Sequence, residues 1–542
     1  MLIEELKKNF PGDVSTDSAT LQKYSRDYSI FKVRPQAVVF PRDVRDVKKL
    51  VRFAGKNKVS LTARSGGTDM SGGPLNDGLI LDFTKYFNHI KEVGQAYAIV
   101  EPGVYFRNFE AEISKKGLLY PPYPASKDIC ALGGMIANNS GGEKTLAYGK
   151  TEDYVEVLKV VMSDGEEHTI KPLSAKELQT KIQGKGFEAG IYKKIYNLIE
   201  KNYKIIQAAK PNVSKNSAGY FLWNVWDKKT FNLNKLFVGS QGTLGLVTEA
   251  KLRLVKNKKY KKVAVVFLSN LNPLADLVLD LLKLKPESLE SYDDKTLGVA
   301  LKFLPAIIRS MKGNFLKLAW QFLPEAKMVL FGGLPKMVLI MLLSSDDKNE
   351  LERRIAPFDA TLKKYGLRGY VLRNELDAEK YWTIRRQSFK LLHDHSTGLD
   401  AASFVDDFIV KPEYLPEFLP KVNAILDEYK DKLTYTIAGH PGDGNFHIIP
   451  LMDLKKPEVR AIIPEISERI YNLVIKYKGS ITAEHNDGII RTPYLEKMYG
   501  EKVVKLFAET KKIFDPKNIF NPGKKTGAKI GDSLKYISSS SE

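Results

Sequence analysis

Seven histidines occur in 542 residues, and three of them fall in two short segments, Gly439-His-Pro-Gly-Asp-Gly-Asn-Phe-His447 and Thr482-Ala-Glu-His-Asn-Asp-Gly488. Scarcity gives that clustering weight. His440 and His447 bracket a Pro-Gly-Asp-Gly turn, and Glu484 or His485 could complete a His/His/carboxylate site for a divalent ion with positions left open to substrate. Imidazole with carboxylate suits zinc or manganese best. Taken alone, His-x6-His is a weak signal, because a buried histidine is more often a hydrogen-bonded structural residue. His393-Asp-His395 offers no second pair, since residues two apart on a helix point in different directions.

Such residues need loops and strands to bring them together. Arg64-Ser-Gly-Gly-Thr-Asp-Met-Ser-Gly-Gly73 lets backbone N–H groups approach an anion without Cβ obstruction. It is neither a Walker loop nor a Gly-x-Gly-x-x-Gly fingerprint, so ATP and ordinary NAD binding are unsupported. On glycine content alone a plain surface turn is as good a reading. Its company favours a ligand: Pro121–Ser126, Ala131–Gly142 and Gly239–Glu249 form three more turn-rich stretches beside strand-like sequence. Val44, Val47, Leu50, Val51 and Ala54 recur at helical spacing within residues 41–58. Leu79–Phe83 and Tyr97–Glu101 read as strands, so the first 250 residues mix helix and strand. A basic run, Lys256–Lys262, marks a boundary. Beyond it, strands such as Val263–Phe267 and Val338–Leu343 alternate with helical stretches such as Asp377–Leu392, again α+β. No internal repeat is evident, and the serine-rich tail has little to bury and is expected to be mobile.

Lysine and arginine total 84 against 64 acidic residues, a formal charge of +20. That balance favours anionic substrates, nucleic acid or anionic lipid without choosing among them. The charges are dispersed and no RNA- or DNA-binding motif accompanies them, so no nucleic-acid partner is expected. The single cysteine, Cys130, excludes an internal disulfide, a cysteine zinc knuckle and a cysteine-held iron–sulfur cluster, and points to a reducing cytoplasm. The first residues lack an apolar signal core, and no uncharged apolar stretch reaches spanning length, so no membrane-spanning helix is expected. Residues 299–345 combine apolar clusters with basic residues. Peripheral docking on the inner face of the membrane is one reading; ordinary burial favours a core-packed insertion with lysines on a solvated face.

The glycine loop together with Gly133-Gly-x-x-Ala-x-Asn-x-Gly-Gly142 resembles the FAD domain of the vanillyl-alcohol oxidase superfamily. Gly-His-x-Gly-Asp-Gly-Asn-x-His, then Glu484-His485-x-x-Gly, and the closing Phe514-Asp-Pro-Lys-Asn-Ile-Phe-Asn-Pro-Gly523 resemble the FAD-linked D-2-hydroxyacid dehydrogenases within it. These include D-lactate dehydrogenases, D-2-hydroxyglutarate dehydrogenase and the glycolate oxidase flavin subunit. The resemblance runs from about residue 30 to Gly523. It implies an α+β chain with a two-subdomain FAD-binding domain, an α+β substrate or cap domain, and a C-terminal tail that returns to the flavin. The expected divisions are a helical segment at 1–30, the FAD domain at 31–255, the cap at 256–480 with its insertion at 299–345, a flavin-site segment at 481–523, and a mobile tail at 524–542. FAD contacts carry over to Ser65, Gly66, Gly67, Thr68, Asp69, Ser71 and Gly72 at the diphosphate. Pro124, Ser126, Gly133, Gly134, Ala137, Asn139, Gly141 and Gly142 would line the flavin and ribityl chain, with Glu249 and Asn521 nearby. Covalent relatives commonly carry a histidine in the first loop, whereas this one reads Arg-Ser-Gly-Gly-Thr, so noncovalent FAD is expected.

By the same resemblance His440, His447 and Glu484 are metal ligands, His485 is the base, and Arg385 in Trp382-Thr-Ile-Arg faces the substrate carboxylate, for which a guanidinium is suited. Without the family context, Arg385 and Arg386 would read as a surface pair. Asp400, Asp406 and Asp407 lie where some relatives place a substrate lysine, and like charge there would repel a second carboxylate. A monocarboxylate such as D-lactate or a glycolate-like acid is therefore expected, with electrons passing to an external quinone, electron-transfer flavoprotein or iron–sulfur subunit. A non-redox alkyl transfer, as in alkyldihydroxyacetonephosphate synthase, is the alternative within the superfamily.

Overall fold

The computed structural model describes residues 2–10, 12–302, 333–373, 377–385 and 398–539. The helix Val44–Asn57 opens on Asp43, whose carboxylate accepts the Asp46 N–H, and closes on a left-handed Lys58. Its apolar stripe, Val47, Leu50, Val51 and Ala54, packs with Leu61, Leu79 and Leu81. Those leucines belong to a four-stranded sheet in the order Asp13–Ser15, Ala37–Phe40, Leu79–Asp82, Leu61–Arg64. The last three strands are parallel, so the glycine loop leaves the sheet at the carboxyl end of Leu61–Arg64, where open parallel sheets meet their ligands.

A second, antiparallel sheet orders Ile90–Val93, Tyr97–Val100, Leu246–Arg253, Val155–Val161 and Glu167–Ile170. Along Leu246–Arg253, residues 246, 248, 250 and 252 are buried and the alternate ones are more exposed, the signature of a sheet with one packed face. Helices Leu132–Asn138 and Phe187–Ala208 share its core.

The second half of the chain builds an antiparallel sheet of eight strands, ordered Arg368–Val371, Tyr260–Leu268, Met337–Ser345, Ser288–Asp293, Leu433–His440, Asn445–Met452 and Asp400–Ala401, with Phe408–Ile409 also on Asn445–Met452. Met337–Ser345 is buried at every position, paired along its whole length with Tyr260–Leu268 and over Met337–Leu342 with Ser288–Asp293. This part of 299–345 is sheet interior and not a membrane-facing surface; a strand covered on both faces needs an unbroken apolar run. Residues 303–332 of that segment lie outside the described residues, as do Arg386 and the His393/His395 pair.

The tail makes contacts of its own. After the short helix Ile530–Leu534, Ile537 is 5% exposed and bridges to Phe31. The Arg26 guanidinium donates to the Ser539 carbonyl and Arg460 to the Ile537 carbonyl. One isoleucine inserted beside Ile30 and Phe31 anchors a segment whose polar composition suggested mobility. Just upstream, the Leu61 N–H donates to the Ile519 carbonyl and the Asn521 N–H to the Leu61 carbonyl, so the carboxyl-terminal residues lie along the strand that feeds the glycine loop.

Candidate functional site

The glycine loop is pressed against the backbone that starts the Leu132–Asn138 helix. A Cβ on Gly66 would stand 2.9 Å from the Ile129 carbonyl oxygen and 3.0 Å from the Ala131 nitrogen. A Cβ on Gly142 would stand 2.2 Å from the Tyr123 carbonyl oxygen. Both positions exclude any side chain, which is what lets these loops pack backbone to backbone. Ser65 faces Gly134 across this contact. The turn at Pro124 and Ser126 holds the 129–130 backbone through Ser126, whose carbonyl accepts the Ile129 and Cys130 N–H groups.

Asp69 bends inward. One of its oxygens accepts the Ser71 N–H, the Ser71 hydroxyl and the Gly73 N–H at 2.6, 2.7 and 3.0 Å, so it shapes the loop that Gly67, Thr68 and Gly72 complete. Gln241 ties it to the other loops: its amide donates to the Ser71 hydroxyl, its N–H to the Ala137 carbonyl, and its carbonyl accepts from the Asn521 side chain. Asn521 also donates to the Gly73 carbonyl. Two expected contacts turn elsewhere. The Asn139 side chain accepts the Glu152 N–H, and Glu249 lies on the less buried face of its strand with Lys91 and Lys159 at 2.7 and 2.9 Å. A Cβ on Gly133 would strike Pro102, and one on Gly141 would stand 2.8 Å from the Thr145 hydroxyl and 3.5 Å from the Glu484 carboxylate. A glycine loop at the carboxyl end of a parallel strand, packed backbone to backbone on the start of a helix, fits FAD.

His440 ends the strand Leu433–His440, and His447 lies two residues into Asn445–Met452, across the hairpin turn. Glu484 comes from an irregular loop far along the chain. Its Oε2 lies 3.5 Å from the His440 Nε2 and 3.8 Å from the His447 Nε2. The three candidate ligand atoms lie within 4.8 Å of one another. The opposite ring nitrogens are taken: His440 Nδ1 by Glu290 at 2.6 Å and His447 Nδ1 by the Asp406 carbonyl at 3.1 Å. Orienting partners of this kind leave Nε2 for a cation, and the donor set fits a divalent metal. Burial lowers the His447 pKa to about 3, with the charge of His485 adding to the effect. Burial acts the same way on His440, but the Glu290 and Glu484 carboxylates together outweigh it and raise that pKa to about 8.

Lys215, which the sequence reading missed, has a fully buried side chain 2.6 Å from Glu484 and 3.1 Å from Asp443. Burial opposes its charge, yet the two carboxylates hold its pKa above the usual lysine range. Glu484 is in turn kept well below the carboxylate range, since Lys215 and His440 outweigh its burial. Nothing periodic marks Lys215, which sits in an irregular loop.

His485 stacks on His447 with ring centroids 4.9 Å apart. Its Nδ1 meets Asp406 at 2.5 Å, and the buried Arg491 clamps the other Asp406 oxygen. Burial would lower the His485 pKa; Asp406 and Asp407 raise it to about 9. Asp407 accepts the Thr482 hydroxyl and the N–H groups of Ala483, Glu484 and His485 at 2.7 to 2.9 Å. Asp400 accepts the Leu454 N–H. The charges of Asp406 and Asp407 are paired with a histidine, an arginine and a loop backbone. Arg385 ends the described part of a helix whose Tyr381 and Ile384 pack on the large sheet, and its guanidinium lies 3.4 Å from Glu290.

Comparison with known proteins accords with this geometry. Residues 35–171 match the FAD binding domain model, and residues 257–525 match the model of the FAD linked oxidases, C-terminal domain. A D-2-hydroxyglutarate dehydrogenase of Pantoea ananatis is 28% identical over 541 residues, covering 96% of this chain and 51% of that protein; the chain thus spans about half the length of this relative. A glycolate oxidase subunit of Bacillus subtilis is 28% identical, covering 91% of this chain and 89% of its own. A D-lactate dehydrogenase of Archaeoglobus fulgidus is 26% identical, with 90% of each covered. Among solved structures, 4-ethylphenol oxidase from Gulosibacter chungangensis superposes with a TM-score of 0.70 at 18% identity, covering 97% of this chain and 96% of that one. Alkyldihydroxyacetonephosphate synthase gives 0.65 at 17%, covering 96% and 85%; both show a shared fold. With the FAD binding domain model followed by the FAD linked oxidases C-terminal domain model along one chain, the protein belongs to the FAD-linked oxidases.

Proposed function

We propose that this chain oxidises a small D-2-hydroxy acid, of the D-lactate or glycolate type, to the 2-oxo acid, using noncovalent FAD and a divalent ion, zinc or manganese, and passing the electrons to an external acceptor. The observation that carries the reading is the convergence of two oriented imidazoles on one Glu484 oxygen, with His485 stacked on one of them. When bound, FAD supplies the two-electron sink for the C2 hydrogen, and an ion held by His440, His447 and Glu484 supplies the Lewis acidity that makes the hydroxyl more acidic.

The chain's own residues bind, orient and move the proton. Arg385 meets the substrate carboxylate and fixes which face of C2 is presented. Asp406 holds the His485 Nδ1, so the other ring nitrogen takes the hydroxyl proton. His485 acts as a base only when neutral, so the reaction draws on the population that has lost the proton Asp406 stabilises. Lys215 and Arg491 are fully buried and committed to internal carboxylates, which favours an acid with one carboxylate over a dicarboxylate. The single cysteine leaves no cluster in this chain, so a quinone, an electron-transfer flavoprotein or an iron–sulfur subunit receives the electrons. Among the described residues no helix is long and apolar enough to cross a membrane.

The test is anaerobic mixing of the FAD- and zinc-loaded protein with D- and L-lactate, glycolate and D-2-hydroxyglutarate. Bleaching of the oxidised flavin by D-lactate or glycolate is expected. A fully loaded protein that none of the four reduces would refute the reading.

A further inference from the structure

Glu290 is a carboxylate in the middle of a strand, Ser288–Asp293, whose six residues are all buried. The site assignments made so far give it no role beyond contact. A buried carboxylate is expensive unless it is paired, so its partners show what the charge is kept for. They are not structural groups. One oxygen lies 2.6 Å from the His440 Nδ1, and the other lies 3.4 Å from the Arg385 guanidinium.

The sheet dictates this placement. Ser291 pairs with Gly439 and Tyr292 with Ala438 in antiparallel register, which sets Glu290 across from His440 one step along. Side chains alternate along a strand, so Glu290 shares a face with Tyr292, and Tyr292 packs with Tyr381 and Ile384 of the helix carrying Arg385. One carboxylate therefore stands between the imidazole assigned to the cation and the guanidinium assigned to the substrate.

We propose that Glu290 is a positioning residue that sets cation affinity and substrate-carboxylate affinity together, by holding the His440 tautomer with Nε2 toward the ion and by aiming Arg385 at the same point. The inference rests on the functional reading above. A guanidinium carries five N–H donors, so Arg385 can meet Glu290 and a substrate carboxylate at once. Outer-shell acceptors of metal-binding histidines typically contribute about 10- to 100-fold to metal affinity. E290Q keeps the shape and removes the charge, so it can no longer accept from both partners at full strength.

The experiment uses the full chain loaded with FAD. Zinc affinity is measured by competition with a chromogenic chelator, and flavin reduction by D-lactate is followed anaerobically for half-saturating concentration and limiting rate. E290Q is expected to weaken zinc binding about tenfold or more and to raise the half-saturating D-lactate concentration by a similar factor, with FAD stoichiometry at the wild-type value. A merely structural role would lower the melting temperature and leave the two affinities unchanged or moving independently. E290D, which keeps the charge but withdraws it by one methylene, should weaken both and serves if E290Q folds poorly. Zinc affinity and half-saturation at wild-type values in E290Q and E290D, with H447A still abolishing zinc binding, would overturn the role of Glu290 and leave the metal site standing. Wild-type protein that binds zinc no better than H447A would overturn both.

Discussion

Replacing Gly66 by alanine tests the cradle directly, because the structure fixes what the new methyl would strike. Its Cβ would meet the Ile129 oxygen at 2.9 Å, the Ala131 nitrogen at 3.0 Å and the Cys130 Cα at 3.1 Å, all backbone. No rotamer can relieve such contacts, so one of the two segments must move by several tenths of an ångström. Overpacking of this kind costs about 1–3 kcal/mol. If the displaced loop is the one that meets the diphosphate, the same strain appears as about a 5- to 150-fold weaker FAD affinity. Gly190 supplies the control: it lies inside the helix Phe187–Ala208, and nothing stands within 4 Å of an added Cβ. Alanine there should stabilise by about 0.5–1 kcal/mol, because glycine gives up more backbone freedom on folding. FAD-to-protein ratio after gel filtration, FAD titration of the apoprotein and thermal unfolding read both variants. G66A should lose flavin and melt lower, and G190A should keep flavin and melt higher. A G66A protein with wild-type FAD affinity and melting temperature would show that the close approach of the two segments does not hold the cofactor.

Three further outcomes are expected. H447A should lose its bound zinc, read by elemental analysis, while keeping FAD, because only the cation site contains His447; retained zinc at wild-type stoichiometry would exclude it as a ligand. H485N should slow flavin reduction by about 100- to 10,000-fold with FAD and zinc contents unchanged, and a wild-type rate would remove it as the base. Lys524 is buried with its ammonium on the Leu75 carbonyl, and burial pulls its pKa down to about 8. A lysine with a depressed pKa binds fewer protons folded than unfolded between about pH 8 and pH 10.5, so it opposes folding below pH 8 and that penalty fades as pH rises toward the unfolded pKa. K524M should therefore be more stable than wild type at pH 7, by about 1–3 kcal/mol, and the gap should narrow by pH 10 in urea unfolding; a gap that widens would refute the sign.

What the sequence showed plainly was whatever repeats locally. The helix Val44–Asn57 was readable because Val47, Leu50, Val51 and Ala54 recur at its period and Asp43 caps it. The His440/His447 pair was readable because histidine is rare and the turn between them is short. Long-range partnerships left no such mark. The partners of Asp406 and Asp407, namely Arg491, His485 and the 482–485 backbone, were not legible because they lie 75 to 85 positions away. Glu290 and Lys215 were invisible for the same reason: an isolated charge in a strand or an irregular loop carries no period, and only folding shows what it faces. The contacts of the tail were not legible because its composition is polar and Ile537 finds its partner, Phe31, near the other end of the chain.

The loop bearing Glu484 and His485 shows how these distant charges matter to function. Residues 482–485 form no helix or strand, so their backbone N–H groups need partners from elsewhere. A single Asp407 oxygen accepts three of them and the Thr482 hydroxyl. Lys150, from the FAD-binding half, donates to the Ala483 carbonyl at 2.5 Å, and Lys215 grips the Glu484 carboxylate. The loop is thereby held from the cap side by an acid and from the flavin side by two lysines. These contacts give Glu484 and His485 one direction each, and a side chain already held costs less to order on binding. The desolvation of these charges is then the cost of bringing the two halves of the chain to one point, which neither could do with apolar contacts alone, because apolar packing does not fix the direction of a carboxylate oxygen.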